Sequence, residues 1–199
     1  MARDTDFYLL LGAVGIGLFL MSRATGLTGE SLNPTGIVAN DNVNALLEII
    51  KKHESGGRYN ATYADSQTGF HITDFSAHPA ALGWPGMQLS DDTCRAAGLN
   101  PPCRSTAAGA YQFTFPTWRD LVARHGFPDF SPASQDAAAY ALLDQIGAVE
   151  AVQVGDIETA LRLASPRWAS LPFSTSGQPK ASLPAVLAEF ATFGGTANV

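Results

Sequence analysis

The sequence feature that most constrains the fold is a helical repeat of apolar residues, which recurs in five stretches of the chain. In the first stretch Val43, Leu46 and Ile50 follow one another at the three- and four-residue spacing that places side chains on one face of a helix. Capping residues or glycines bound the other stretches where helices commonly begin or end. Five helices are therefore predicted: at 42–53, at 115–125, from Ser131-Pro132 to Gly147, after a cap at Asp156, and from near Ser182 to Gly194.

Turn residues interrupt the region between about 58 and 110, where Tyr, Thr, Phe and Ile alternate with Gly, Asp and His. Alternation with a period of two, combined with frequent turns, predicts a small antiparallel sheet with loops. Helices packed around a small sheet make an α+β domain. A groove between the sheet and the helices is the expected ligand site in this arrangement.

Length and charge restrict the class of protein further. The 199 residues suffice for one compact domain with an appendage, and an apolar content of 46% supports a packed core. The formal net charge of -6 argues against a nucleic-acid partner, because phosphate binding requires clustered Lys and Arg. Carbohydrate recognition by such a chain would depend on hydrogen bonds and stacking.

Residues 7–22 form an apolar run without a charged side chain. The run is slightly shorter than the roughly 20 residues that span a bilayer core, and we interpret residues 1–23 as a membrane anchor, a single transmembrane helix. A buried core helix is disfavoured because the run has no polar face, and a cleaved signal peptide is an alternative. Residues 24–40 are rich in Gly, Thr, Asn and Pro, which predicts a flexible linker. The globular domain then comprises residues 41–199.

The two cysteines, Cys94 and Cys103, lie close together in a polar, proline-rich stretch. In an oxidising compartment they would close a small loop through a disulfide, and in the cytosol they would be two thiols. The predicted anchor favours the disulfide. No metal site is predicted, because His71 and His78 do not stand at a familiar zinc spacing from the cysteines.

Glu54 is the residue whose position most suggests chemistry. It lies on the apolar stripe of the first predicted helix, four residues after Ile50, and Ser55-Gly56-Gly57 follows it. A carboxyl group between an apolar core and a glycine turn should be partly desolvated, which raises its pKa. A carboxylic acid that stays protonated near neutral pH can protonate the leaving oxygen of a glycosidic bond. The alternative is a surface glutamate at a frayed helix end.

Six short motifs, in this order along residues 43–196, give the chain a family resemblance. They are HESG at 53–56, TDFSAHP at 73–79, STAAGAYQ at 105–112, DFSPASQD at 129–136, GDI at 155–157 and WASLP at 168–172. With them the chain resembles the lambda-type phage endolysins, which are lysozyme-like lytic transglycosylases of glycoside hydrolase family 104. The resemblance implies a lysozyme-like, mainly helical α+β fold, peptidoglycan glycan strands as the partner, and no metal or cofactor.

The resemblance also implies a role for Glu54 as a single catalytic acid/base. It would protonate the oxygen that links N-acetylmuramic acid to N-acetylglucosamine and then deprotonate the carbon-6 hydroxyl of the muramic acid. That hydroxyl would close a 1,6-anhydro ring without consuming water. Held next to the reacting carbon, it has a high effective concentration and makes a second carboxylate unnecessary.

The matched motifs imply substrate contacts for Ser55, Ser105, Thr106, Tyr111 and Gln112. Gln112 is expected to hydrogen-bond an acetamido group or to orient the catalytic carboxyl group. Tyr111 offers an aromatic face and a hydroxyl, with a half-buried core position as the alternative.

Trp168, in the last of the matched motifs, is expected to anchor the core rather than to stack on sugar. Two departures qualify the resemblance. Ser176 stands where the family has a tyrosine in its groove, so that one sugar contact is either lost or supplied by another residue. Residues 84–104, which contain both cysteines, are longer than the corresponding family loop.

Two other functions fit the same sequence. The first is a hydrolytic muramidase, in which Asp65 or Asp74 acts with Glu54 on water. The second is a non-catalytic peptidoglycan-binding protein of the virion, since a fold does not determine a function. In each case the predicted anchor at 7–22 places the protein in a membrane, either the host inner membrane or a virion membrane. Its catalytic domain would then face the periplasm or the cell wall.

Overall fold

The computed structural model describes residues 40–63 and 65–198 of the chain. Eight helices and two short strands follow one another in these residues. They are α1 (Asp41–Ser55), α2 (Asp65–Thr68), β1 (Met87–Gln88), α3 (Asp91–Ala96), β2 (Arg104–Ser105), α4 (Phe115–His125), α5 (Pro132–Gln145), α6 (Ala148–Gln153), α7 (Ile157–Ala164) and α8 (Leu183–Thr192). The fold is mainly helical with a small antiparallel sheet, which confirms the predicted α+β class.

Helix α1 is the central element, and both of its ends have the signals of a well-defined helix. The side chain of Asn40 accepts hydrogen bonds from the backbone N–H groups of Asn42 and Val43, at 3.0 and 3.2 Å. Such a cap satisfies N–H groups that have no partner within the helix. At the other end Gly56 adopts a left-handed conformation with φ of 67°, which stops the helix directly after Ser55. Glu54 therefore lies in the last turn of a helix whose end is fixed.

The apolar face of α1 is buried against α5, α6 and α8, and α6 packs in turn against α5 and α7. Leu46, Ile49 and Ile50 are fully buried in this core. Burial of an apolar side chain of this size contributes about 1.5–3 kcal/mol to folding. The core thus fixes α1, and with it the position of Glu54, from several sides.

The sheet consists of β1 and β2 alone, which pair antiparallel with Met87 opposite Ser105 and Gln88 opposite Arg104. Most of the region from 58 to 110 forms turns and loops, so the predicted sheet is present but covers few residues. A disulfide joins Cys94 to Cys103, and the two sulfurs pack with Leu89 in a small apolar cluster apart from the main core.

The prediction of a transmembrane helix and a membrane-anchored location requires correction. In the part of the chain from 40 to 63 and from 65 to 198, no helix has the length and apolar character needed to cross a bilayer. The longest of these helices, α1, has 15 residues, against the roughly 20 apolar residues that a bilayer core requires. The apolar run at 7–22 on which the prediction depended lies outside the described residues. The membrane assignment is therefore withdrawn.

Candidate active site

The carboxyl group of Glu54 is held by one residue from a distant part of the chain. The hydroxyl of Ser170 donates a hydrogen bond of 2.6 Å to Oε1 of Glu54, and the backbone N–H of Ser170 donates a longer one of 3.4 Å to the same oxygen. Ser170 lies in the turn that follows α7. The end of α1 and this turn therefore meet at the carboxyl group.

Burial raises the pKa of Glu54 above that of an ordinary glutamate, because desolvation disfavours the charged form. The two hydrogen bonds from Ser170 act in the opposite direction, as does the neighbouring His53, since both favour the carboxylate. The effect of burial is the larger. The structure thus gives Glu54 the environment that the sequence predicts for a proton donor.

Glu54 lines a cleft with a volume of about 260 Å³. The cleft is lined by residues from the end of α1, from the loop 105–114 and from the segment 165–179, together with Tyr63, Thr117 and Leu142. Among the described residues that line the cleft, Glu54 is the one carboxylate. The lining otherwise combines hydroxyl, amide, aromatic and aliphatic side chains with the basic Arg167 and His53, and such a mixture of polar and apolar groups is typical of ligand sites.

A tight turn at 108–113 brings two predicted substrate contacts, Tyr111 and Gln112, to the cleft. The backbone N–H of Ala110 donates a hydrogen bond of 2.8 Å to Oε1 of the buried Gln135. Gln112 adopts a left-handed backbone conformation with φ of 50°. Gly109 has φ of 79°, and a Cβ there would stand 2.9 Å from the ring of Phe130. Only glycine fits this conformation and this close approach, so the turn geometry is strongly determined.

Tyr111 contributes to the cleft wall, but its side chain is 1% exposed and its hydroxyl faces the interior. The hydroxyl donates a hydrogen bond of 2.7 Å to Oδ1 of Asp136, and the same oxygen accepts a hydrogen bond from the hydroxyl of Tyr59. The nearly buried Lys51 bonds Tyr59 at 2.9 Å. This polar network lies behind the cleft and holds Tyr111 in the core, where it is more deeply buried than the half-buried alternative for this residue.

The other predicted contacts divide into two groups. Ser105 lines the cleft, whereas Ser55 and Thr106 are not among the described lining residues. The hydroxyl of Ser55 donates a hydrogen bond of 2.9 Å to the carbonyl of Ala110. Oγ1 of Thr106 accepts a hydrogen bond of 2.9 Å from the backbone N–H of Phe115. Their hydroxyls are thus engaged with the backbone of the loop and of α4.

Neither acid of the muramidase alternative lines the cleft with Glu54. Asp65 forms an ion pair with Arg58. Asp74 lies in an exposed turn and accepts a hydrogen bond of 2.8 Å from the backbone N–H of Ser76. In residues 40–63 and 65–198 no three His, Cys, Asp or Glu side chains are grouped as metal ligands would be.

Sequence reasoning assigned no role to most residues of the cleft, and three of these are close to the carboxyl group of Glu54 or exposed in the cleft. Ser170 was quoted only as part of a motif, and no role was assigned to His53 or Tyr63. His53 lines the cleft and contacts Glu189 of α8 at 2.6 Å. Tyr63 lines it with a side chain that is 36% exposed. Trp168 is 3% exposed and donates its indole N–H to the carbonyl of Tyr111 at 3.1 Å, as expected of a core anchor.

Comparison with known proteins gives the class of protein that this fold and site represent. The family model described as Endolysin matches residues 44–197. The endolysin of Escherichia phage lambda is 36% identical over 125 residues, which cover 63% of this chain and 70% of that protein. The endolysin of Escherichia phage P2 is 31% identical over 168 residues, covering 80% of this chain and 96% of that protein.

Solved structures agree with the sequence comparisons. Bacteriophage lambda lysozyme complexed with a chitohexasaccharide superposes with a TM-score of 0.63 at 31% identity, covering 81% of this chain and 99% of that one. A second structure of lysozyme from bacteriophage lambda gives a TM-score of 0.60 at 30% identity. The chain belongs to the endolysin family. It has the lambda lysozyme fold and is a phage enzyme that degrades the bacterial cell wall.

Proposed function

We propose that this endolysin is a peptidoglycan lytic transglycosylase with Glu54 as its single acid/base. Glu54 donates its proton to the oxygen between N-acetylmuramic acid and N-acetylglucosamine, and the bond from that oxygen to carbon 1 breaks. The carbon-6 hydroxyl of the muramic acid then bonds to carbon 1 and returns its proton to Glu54. No water is consumed, and the product ends in a 1,6-anhydro sugar.

The observation that carries this proposal is the solitary position of Glu54 in the cleft. Glycosidases that act on water use two carboxyl groups on either side of the bond. Here the described cleft lining contains one, and Asp65 and Asp74 have hydrogen-bond or ion-pair partners elsewhere. An internal hydroxyl needs no second carboxylate, because the substrate itself holds the nucleophile beside the reacting carbon.

The burial of Glu54 supports the first step. A raised pKa keeps a larger fraction of the carboxyl groups protonated near neutral pH, which is the form that can donate a proton. After donation the two hydrogen bonds from Ser170 stabilise the carboxylate. The same carboxylate is then the base for the carbon-6 hydroxyl.

We further infer that glycan strands bind along this cleft. The similar lambda lysozyme has been solved in complex with a chitohexasaccharide. In the present chain Gln112 and Ser105 provide polar groups and Tyr63 provides an exposed aromatic ring, and such rings stack on sugars. Tyr63 is our candidate for the sugar contact that the family tyrosine makes at the position of Ser176.

Mass analysis of digested peptidoglycan tests the reaction type. We expect muramic ends that lack one water molecule compared with the reducing ends that a hydrolase makes. Reducing ends would instead establish the hydrolytic muramidase.

Substitution of Glu54 by glutamine tests the acid/base. The variant should fold like the parent and lose wall-degrading activity by at least about 10²-fold, because an amide cannot donate the required proton. Asp74→Asn is the matched control, since it makes the same carboxyl-to-amide change outside the cleft and should retain activity. A Glu54→Gln variant that lyses walls as well as the parent would support a non-catalytic role.

A further inference from the structure

We propose that Ser170 is a positioning residue for Glu54, and that it determines which carboxyl oxygen carries the proton. This inference rests on the proposed function, because it assigns the transferable proton to Oε2 of Glu54. Ser170 does not need to touch the glycan for this role.

The argument begins with the asymmetry of the two carboxyl oxygens. Both donors of Ser170 point to Oε1, the hydroxyl at 2.6 Å and the backbone N–H at 3.4 Å. Within the described residues no hydrogen-bond donor contacts Oε2. An oxygen that accepts two hydrogen bonds is the carbonyl-like oxygen of a neutral carboxylic acid, so the proton belongs on Oε2. Ser170 thereby orients the acid as well as holding it.

Ser170 can perform this role because its own position is fixed from two sides. Its carbonyl accepts a hydrogen bond from the backbone N–H of Ala181 at 2.8 Å. Two residues earlier, the indole N–H of the buried Trp168 donates to the carbonyl of Tyr111 at 3.1 Å. A donor that is already in place stabilises developing charge without reorganisation during the reaction.

The sign of the effect on the reaction follows from the two charge states. A hydrogen bond to a carboxylate is stronger than one to a neutral acid. Ser170 therefore stabilises the carboxylate that remains after proton donation, and it opposes the effect of burial on Glu54. Loss of the hydroxyl should slow proton donation and should also keep the free enzyme protonated to higher pH.

Kinetics of Ser170→Ala and Ser170→Thr test this role. In Ser170→Ala we expect kcat to fall about tenfold to a hundredfold with little change in KM, as for other groups that orient a catalytic residue. The basic limb of the kcat/KM profile, where Glu54 loses its proton, should move to higher pH. Threonine retains the hydroxyl and should restore both quantities.

Ser182→Ala is the matched control, because it also removes a serine hydroxyl. That hydroxyl caps α8 by accepting from the backbone N–H of Ala185, and its loss weakens the helix without touching Glu54. The control should leave the basic limb where it is in the parent. A Ser170→Ala enzyme with the kcat and basic limb of the parent would overturn the proposal. The proposal would also be overturned if Ser170→Ala lost activity without a shift of the basic limb and Ser170→Thr did not restore that activity.

A measurement independent of activity separates this inference from the proposed function. The carboxyl carbon of Glu54 can be titrated by carbon-13 NMR and assigned by its absence in Glu54→Gln. We expect a higher titration midpoint in Ser170→Ala than in the parent, and an unchanged midpoint would refute the role of Ser170 whatever the enzyme's products. Full activity of Glu54→Gln would refute the proposed function instead.

Discussion

His78 shows how strongly a single side chain can depend on its surroundings in this protein. It is fully buried between the rings of Phe115 and Phe130. Its Nε2 lies 3.0 Å from the carbonyl oxygen of Phe113, and its Nδ1 accepts a hydrogen bond of 3.2 Å from the backbone N–H of Ala80. Both ring nitrogens are engaged as a neutral imidazole requires. Burial accordingly lowers the pKa of His78 to about 4.

A consequence for acid stability follows from this residue. The unfolded chain takes up a proton at His78 near pH 6.5, whereas the folded chain does not until about pH 4. The contribution of His78 is therefore complete above pH 6.5 and is lost as the pH falls toward 4, by up to about 3 kcal/mol of unfolding free energy.

Urea unfolding at pH 7 and pH 4.5 measures this loss, with His78→Gln as the control. The variant lacks the titrating group and should lose less of its own stability between the two pH values. An equal loss in parent and variant would contradict this account.

The sequence predicts some of the site residues and misses others for a physical reason. Glu54 is predictable because its environment is local: the stripe of α1 precedes it and the left-handed Gly56 follows it. Ser170 is not, because its bond to Glu54 joins positions 116 residues apart and no periodicity records such a contact. Tyr63 lies next to a short helix without an apolar pattern, so nothing in its surroundings marks it as part of a cleft.

The same distinction holds for secondary-structure elements. Helix α4 extends over Phe115–His125 as predicted, because a proline in its first turn and Gly126 after its end are strong local signals. Helix α6 has six residues, which is too few for a periodic pattern, and it was not predicted. The alternating residues between 58 and 110 mostly form turns, since pairing there depends on partners that the sequence pattern does not specify.

The disulfide is the element-scale feature with the clearest effect on stability. It joins cysteines nine positions apart, and the Cys94 and Cys103 side chains form the centre of a small cluster outside the main core. A cross-link over a loop of this length stabilises a fold by about 2–3 kcal/mol, chiefly by restricting the unfolded chain. The loop from 84 to 104 thus carries its own stabilising bond.

Replacement of both Cys94 and Cys103 by alanine should therefore lower the free energy of unfolding by about 2–3 kcal/mol. Urea titration of the oxidised parent and of the double variant measures the difference. The reduced parent is the control and should match the double variant. Equal stability of all three forms would show that the disulfide contributes nothing to the stability of the fold.

At the scale of the whole molecule, the last helix closes the domain against the first. Glu189 of α8 accepts hydrogen bonds of 2.6 Å from both Lys52 and His53. Burial would raise the pKa of Glu189, but these two partners outweigh it and lower that pKa. The main apolar cluster draws its buried members from residues 43–190. Within the described residues these side chains form one contiguous apolar core that includes both α1 and α8.

We accordingly predict that residues 40–199, expressed without the preceding segment, fold and retain wall-degrading activity. This length keeps Asn40, whose side chain caps α1. Thermal unfolding and peptidoglycan digestion of the fragment and of the full chain provide the comparison. Asn40→Ala in the fragment is the control and should cost about 1 kcal/mol. A fragment that fails to fold would show that residues 1–39 are needed for the domain.

The last described residues are held against earlier parts of the domain by two hydrogen bonds. The backbone N–H of Thr196 donates one of 2.7 Å to the side chain of Asn42, and the backbone N–H of Asn198 donates one of 2.9 Å to the carbonyl of Gly155. The described chain therefore returns to within one hydrogen bond of where it starts. In a fragment of residues 40–199, a few added residues would bridge these two points, so a circularly permuted form with new termini in an exposed loop is geometrically accessible. Partners fused to the two ends of that fragment would project from the same side of the domain.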